Sequence, residues 1–344
     1  DLRTAQNYSW SYRGDRDNTM NRDVFSRDTQ RDMGRPYTRS RYYHLYLDGV
    51  YWGIYQTQER SEANYAATYF GGASGDYDVI KMAADNDYQV EATDGNLDAW
   101  AEVFRRTQQG FADDAAFFAL EGKGASGTRD PALAVWVNID SLIDYMLVIF
   151  YTGNIDAPVS KFLNNEKPNN FYTLRNRVTG GEGFVFFAHD SEHTLFAEGT
   201  SPHLGLQENR VSIGLPGGAT DGQGDITDSY QMRVTELNRF QPQWLHHRLT
   251  ENALYRQRFA SRARQMLEGT GALTPTAGVE RFMSRAREIE TAIVAESARW
   301  GDAKTDRPRT RDDDWQPAID RAVDDFFPAR TQVTIDQLRA VSLY

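Results

Sequence analysis

The stretch that decides this chain begins Gly153-Asn154-Ile155-Asp156 and crosses a polar loop to Asn169-Asn170-Phe171-Tyr172-Thr173-Leu174. It turns at Thr179-Gly180-Gly181-Glu182 and closes with Gly183-Phe184-Val185-Phe186-Phe187-Ala188-His189-Asp190-Ser191-Glu192. An acid follows a long apolar segment, and two short aromatic strands then lead to an acidic cluster. Carboxylates at both ends of a hairpin, with an amide between, suit metal-assisted phosphoryl transfer. One carboxylate orients a hydroxyl, while the other and the amide hold a divalent cation against phosphates.

Working upstream, Ile139 to Thr152 is almost continuously Leu, Ile, Val, Phe and Tyr, with Asn138 as N-cap and Gly153-Asn154 as its end. That pattern predicts a central helix buried on most sides. Farther back, Tyr-rich alternation from Arg41 meets Asp48-Gly49 and returns to Gln58, which predicts a β-hairpin. Asp78 to Met82 reads as a buried strand, and Met20–Met33, Ser61–Phe70, Asn96–Gln108 and Asp113–Leu120 read as helices. Downstream, 197–229 is rich in Gly, Pro and Asp with almost no period, an expected functional or mobile loop. Helices are then expected over Met232–Thr250, Ala253–Leu267, Thr276–Arg299, Trp315–Phe326 and Ala329–Val341.

The 344 residues are 40% hydrophobic and 25% charged, enough for a sizeable core in one large domain or two smaller ones. A net charge of −11 argues against a general nucleic-acid binder. No cysteine is present, so zinc–thiolate sites, disulfides and thiol nucleophiles are excluded. No run approaches the length of a membrane span. The fold class read from the pattern is α+β, with a mixed region over 1–134 and a helical region over 135–344.

Several motifs in order resemble the CotH kinase family, atypical kinases named for a spore coat protein. They are the hairpin His44-Leu45-Tyr46-Leu47-Asp48-Gly49-Val50-Tyr51-Trp52-Gly53-Ile54-Tyr55 with Glu59, and the apolar helix ending Gly153-Asn154-Ile155-Asp156. Asn170-Phe171-Tyr172, Phe187-Ala188-His189-Asp190-Ser191-Glu192, Glu296 to Asp302 and Phe327-Pro328-Ala329-Arg330 follow in register. The resemblance spans most of the chain and resembles large bacterial cell-surface members. It implies a single protein-kinase-like, two-lobed domain with a truncated N-terminal part and a helical C-terminal lobe. It further implies ATP, Mg²⁺ or Mn²⁺, a protein hydroxyl as acceptor, and a secreted or cell-surface location.

By that resemblance Asp156 matches the catalytic aspartate, Asn170 the metal-binding asparagine, and Asp190 the metal-binding aspartate. Glu192, two residues on, is a second candidate metal ligand. Lys81 and Phe184 are candidate nucleotide contacts, Lys81 for a phosphate and Phe184 for the adenine. Each has a structural alternative: a turn acid for Asp156, a solvated turn for Glu192, a snorkelling lysine for Lys81, a core ring for Phe184. Asp156 and Asn170 stand 14 positions apart, so Asn164, Asn165 and Asn169 are alternatives to Asn170, and His189 stands where the family has an aromatic. The family's first strands, with their phosphate-binding basic residues, are expected before residue 1. Two other readings stay open: a catalytically degenerate binding or assembly module, and a metal-dependent phosphoester hydrolase on the same carboxylates.

Overall fold

The computed structural model describes residues 1–196, 205–213 and 233–344. Its first sheet has the order β1–β3–β2, all antiparallel, from β1 (Leu2–Arg3), β2 (Ser40–Leu47) and β3 (Val50–Gln58). Asp48 and Gly49 join β2 to β3 with φ of 49° and 80°. Positive φ at both central residues matches the right-handed twist of the flanking strands, which is why this dipeptide makes the turn. Between β1 and β2 lies helix α1 (Arg22–Asp32), packed on the body of the protein.

The second sheet has the order β5–β4–β6–β7, again antiparallel: β4 (Tyr77–Ala83), β5 (Gln89–Asp94), β6 (Phe171–Asn176) and β7 (Val185–Ala188). The β4–β6 pairing takes one strand from each side of the 134/135 division, so the mixed and helical regions share a sheet. Alternation sends Ile80, Phe171 and Phe186 into the main core, and Val79, Tyr172, Leu174 and Phe187 into a second cluster with Tyr65 and Ala66 of α2 (Ala63–Phe70). Covering both faces explains why β7 and its approach are nearly all apolar. The β7 edge is closed by a side chain: Gln30 of α1 donates to Phe186 O at 3.0 Å and accepts from Ala188 N at 2.8 Å.

After α3 (Asp98–Gln109) and α4 (Asp114–Leu120) comes α5 (Ile139–Thr152), with the bounds the sequence predicts. Asn138 Oδ1 caps it by accepting from Ser141 N at 2.9 Å, and Gly153 ends it at φ 62°. Thirteen of its fourteen residues are buried. Asp144, at 0% exposure, is the buried acid of this helix, and Arg35 and Arg262 pair with it from two sides.

The remaining helices are α6 (Pro242–Leu249), α7 (Ala253–Leu267), α8 (Pro275–Ile289), α9 (Ala292–Trp300), α10 (Gln316–Arg321) and α11 (Phe327–Ala340). Three differ from expectation. The helix expected from Met232 starts only at Pro242, because proline has no N–H to continue a helix and favours its first turn, with Gln241 as the cap. The single helix expected over Thr276–Arg299 bends at Glu290-Thr291, where α8 lies against α1 and α11 while α9 turns to β3. Around α10, Arg311–Trp315 and Ala322–Phe326 form wider π-type turns. Most of the expected 197–229 loop lies outside the described residues; within it Val211 and Ile213 are buried in the main core. Among the described residues no helix is long and apolar enough to cross a membrane.

Several contacts lock the hairpin to α9, and the most buried is ionisable. Glu296 of α9, 1% exposed, accepts from Ile54 N at 2.7 Å. Gly53, at φ 138°, lets it approach: a Cβ there would lie 2.7 Å from the Glu296 carboxylate. Glu296→Ala is expected to cost about 1–3 kcal/mol in urea denaturation, the usual penalty for an orphaned buried N–H. Burial pushes the Glu296 carboxyl up to about 7, against the opposing pull of the Ile54 N–H and Arg299. The folded state therefore holds this proton more tightly than the unfolded chain. Its contribution is full below the ordinary carboxylate range and is lost as pH rises through about 7. Glu296→Gln keeps the acceptor without the titration, so wild type should lose stability relative to this variant as pH rises through about 7. A flat difference across that range would contradict the assignment.

Candidate active site

The C-terminus of α5 delivers the first acid. Asn154 Oδ1 accepts from Asp156 N at 2.9 Å, so the turn after Gly153 is pinned by its own side chain. Asp156 is 8% exposed and surrounded by donors. Its Oδ1 accepts from Asn169 Nδ2 at 2.8 Å and from the Ser160 hydroxyl; its Oδ2 accepts from Asn170 Nδ2 at 2.9 Å. Burial nevertheless pushes its carboxyl up to about 6; the Ser160 and Asn169 bonds pull it down, and the charge of Asp190 adds to the upward push.

The 14-residue separation of Asp156 and Asn170 is closed by the loop itself. Val159 bridges Pro168, and Asn169 N donates to Pro158 O at 2.9 Å. Asn169 and Asn170 thus share the two Asp156 oxygens. Asn165 instead accepts from Arg210 Nη1 at 2.9 Å in a buried cluster beside the Lys161–Glu208 ion pair.

The second acid arrives from β7. Ile155 N donates to His193 O at 3.2 Å and Leu195 N to Thr152 O at 3.0 Å, so the strand's exit is stitched to the α5 terminus. Asp190 is brought near enough for its charge to act on Asp156. Both Asn170 and Asp190 hold positive φ, 43° and 48°. That conformation is uncommon outside glycine, though Asn and Asp tolerate it best, and strain of this kind concentrates at functional sites.

A residue that the sequence reading missed sits across the acids. Arg3 Nη2 of β1 lies 2.6 Å from Asp190 Oδ1 and 3.3 Å from Glu192 Oε2. The Asp190 contact is a close, partly buried ion pair. Burial weakens the Arg3 charge, but Asp190, Asp23 and Glu192 outweigh it and hold the guanidinium protonated. Asp23 of α1 anchors the same loop by accepting from Ser191 N at 2.7 Å. Burial pushes Asp23 up, yet Arg27 and Arg3 win and leave it at about 2.

Glu192 has both oxygens engaged, Oε2 by Arg3 and Oε1 by Asn7 Nδ2 at 2.8 Å. Burial, then the Asp190 charge, pushes its carboxyl up to about 8. With its oxygens on Arg3 and Asn7, Glu192 is placed to support the loop around Asp190. For Phe184 the expectation is corrected. It is 0% exposed, packs edge-on against Trp100 with ring centroids 5.1 Å apart, and lies at the hairpin end remote from Asp190, so no ring face is open to an adenine. Lys81 lies on the sheet face of Tyr172, whose ring meets His189 at 4.7 Å; its ammonium is 3.5 Å from Glu91. The exposed aromatic at the site is Phe162, 59% exposed, with its ring 4.8 Å from His193. No sequence signal marks Arg3 or Phe162, whereas Asn169 is among the alternatives to Asn170.

Among the described residues no three acids and histidines converge as a closed metal cage. The candidate oxygens are the carbonyl of Asn170, whose amide nitrogen is spent on Asp156, and the carboxylate of Asp190, one oxygen of which is paired with Arg3. One or two carboxylates plus substrate phosphates are how Mg²⁺ is usually bound, so this donor set fits an open oxygen site. No curated protein matches the chain. The family model described as CotH kinase protein matches residues 13–333, nearly the whole chain and all of the site except Arg3 and Asn7. With Asp156, Asn170 and Asp190 gathered at the end of the central helix, the α+β, kinase-like chain belongs to the CotH kinase family.

Proposed function

We propose that the chain moves the γ-phosphate of ATP to a protein hydroxyl with Mg²⁺ or Mn²⁺. The observation that carries this reading is the 2.9 Å contact of Asn170 Nδ2 with Asp156 Oδ2, with Asp190 close enough to press on the same carboxyl. Asp156 accepts a hydrogen bond from the acceptor hydroxyl and orients it. Ser160 and Asn169 hold its other oxygen and fix the carboxylate plane. The Asn170 carbonyl and Asp190 hold the cation, which when bound neutralises phosphate charge. Lys81 is the remaining candidate for a phosphate contact, one strand away from Asn170 and Tyr172. Phe162, exposed beside His193, offers an apolar surface to the incoming protein.

A second reading has its own support. Arg3 sits on Asp190 where a cation would otherwise sit, which suits a catalytically degenerate module serving binding or assembly.

Thermal shift and a phosphate-transfer assay with a generic protein acceptor separate them. Wild type should be stabilised by ATP with Mn²⁺, because a ligand that binds only the folded state raises the melting point. Asp190→Asn should abolish that shift. Asp156→Asn should keep most of it and lower transfer by about 10²-fold or more, the usual weight of a positioned acid–base group. Wild type with neither shift nor transfer would leave the module reading standing.

The pH profile offers a separate check. Only ionised Asp156 can accept the hydroxyl proton, and its carboxyl sits at about 6. The kcat/KM for transfer, which reports the free enzyme, should therefore rise with pH and reach half its plateau near 6. A profile already flat from pH 5 upward would remove Asp156 from that role.

A further inference from the structure

A cleft of about 290 Å³ opens at the far end of the β6–β7 hairpin, beside the N-terminus of α5. The helix separates it from Asp156: fourteen residues at about 1.5 Å each put about 21 Å between its ends. Phe70, Leu174 and Val185 give the cleft an apolar wall, and Arg175, Asn138 and Ser141 a polar one.

Most of the polar groups are already committed. Asn138 caps α5 and donates to Glu182 Oε2 at 2.9 Å. Ser141 Oγ accepts from Phe186 N at 3.0 Å. Arg35, also at the cleft, is held through Nε by Asp144, an acid it shares with Arg262.

Arg175 is the exception. It is 7% exposed, yet it makes no ion pair among the described residues. Its Nε donates to Val135 O at 3.1 Å and its guanidinium lies 5.3 Å from the Trp136 ring centroid. Those two contacts fix the plane of the group. Its two Nη nitrogens have no hydrogen-bond partner among the described residues, and Nη2 lies against Gly180, where a Cβ would stand 3.3 Å away. The acid whose charge acts on it, Asp78, is itself paired with Arg177. A buried guanidinium, held by one edge and open along the other, is preorganised for a two-oxygen anion.

We propose that this cleft binds a small ligand carrying a carboxylate or phosphate on an apolar body, the anion gripped by the Nη edge of Arg175 and the body lying on Phe70, Leu174 and Val185. The site is separate from the acidic site and makes no use of its metal.

Phenyl phosphate and phenylacetate are suitable probes for the full chain, with benzyl alcohol as the uncharged control, in calorimetry and ligand-observed NMR. Comparing the two anions tells which oxyanion the fork prefers. At least one should bind saturably and benzyl alcohol should not. Arg175→Met should weaken the anion about tenfold or more, the loss of a charged hydrogen-bonded pair, with the melting curve confirming that folded protein is titrated. Glu182→Gln, at the exposed rim, removes a nearby negative charge and should tighten the anion about twofold or more without changing benzyl alcohol. This second variant carries the test if Arg175→Met does not fold. Binding equal in wild type and Arg175→Met, unchanged affinity in Glu182→Gln, or no saturable binding of either anion below about 10 mM would overturn the proposal.

Discussion

A helix without a solvent face constrains everything around it. Residues Leu142 to Tyr151 of α5 are at most 1% exposed, so every side of the helix must be covered by another element. The β7 strand lies along one side, α1 along another, and α6, α7 and α11 complete the jacket. Within that jacket Asp144 has no water, and an isolated buried carboxylate is costly. Arg35, just after α1, and Arg262 of α7 meet its two oxygens from different parts of the chain. The helix therefore fixes the relative positions of elements remote in sequence, and its two ends become the two places where polar chemistry is exposed.

At the C-terminal end, the site is an electrostatic balance. Asp23, Asp156, Asp190 and Glu192 crowd one loop, and like charges in a poorly solvated region raise one another's proton affinity. Arg27 and Arg3 absorb part of that charge, leaving Asp23 at about 2. Glu192 and Asp156 carry the remainder, at about 8 and about 6. Neighbouring carboxyls around one loop thus hold their protons with different affinities, set by burial and by which arginine each one meets. Neutral histidines line the same loop: burial lowers both His189 and His193 to about 4.

The sequence showed the local elements well wherever a short-range rule governs them. Asp48-Gly49 demands a hairpin turn, Asn138 and Gly153 bracket α5, and short apolar and aromatic runs mark β4, β6 and β7. It misjudged elements whose limits depend on neighbours. The α8–α9 bend follows from two packing partners in different directions, and Pro242 shows that one residue without an N–H outweighs a helical pattern upstream of it. Phe184 was ambiguous in sequence because a ring in an apolar strand looks alike whether it faces a ligand or a core; Trp100, eighty-four positions earlier, decides it.

For the site, the sequence by itself determined which residue types stand at the end of the central helix and around the hairpin. Asn154, Asp156, Asn170 and Asp190 are legible because turn chemistry and strand period place them at element ends. Only the tertiary structure decided which acids remain available. Arg3 reaches Glu192 across 189 positions, and Asn169 rather than a nearer loop asparagine takes Asp156 Oδ1. The physical reason is that burial and Coulomb interaction depend on distance in space, whereas periodicity and capping depend on distance along the chain.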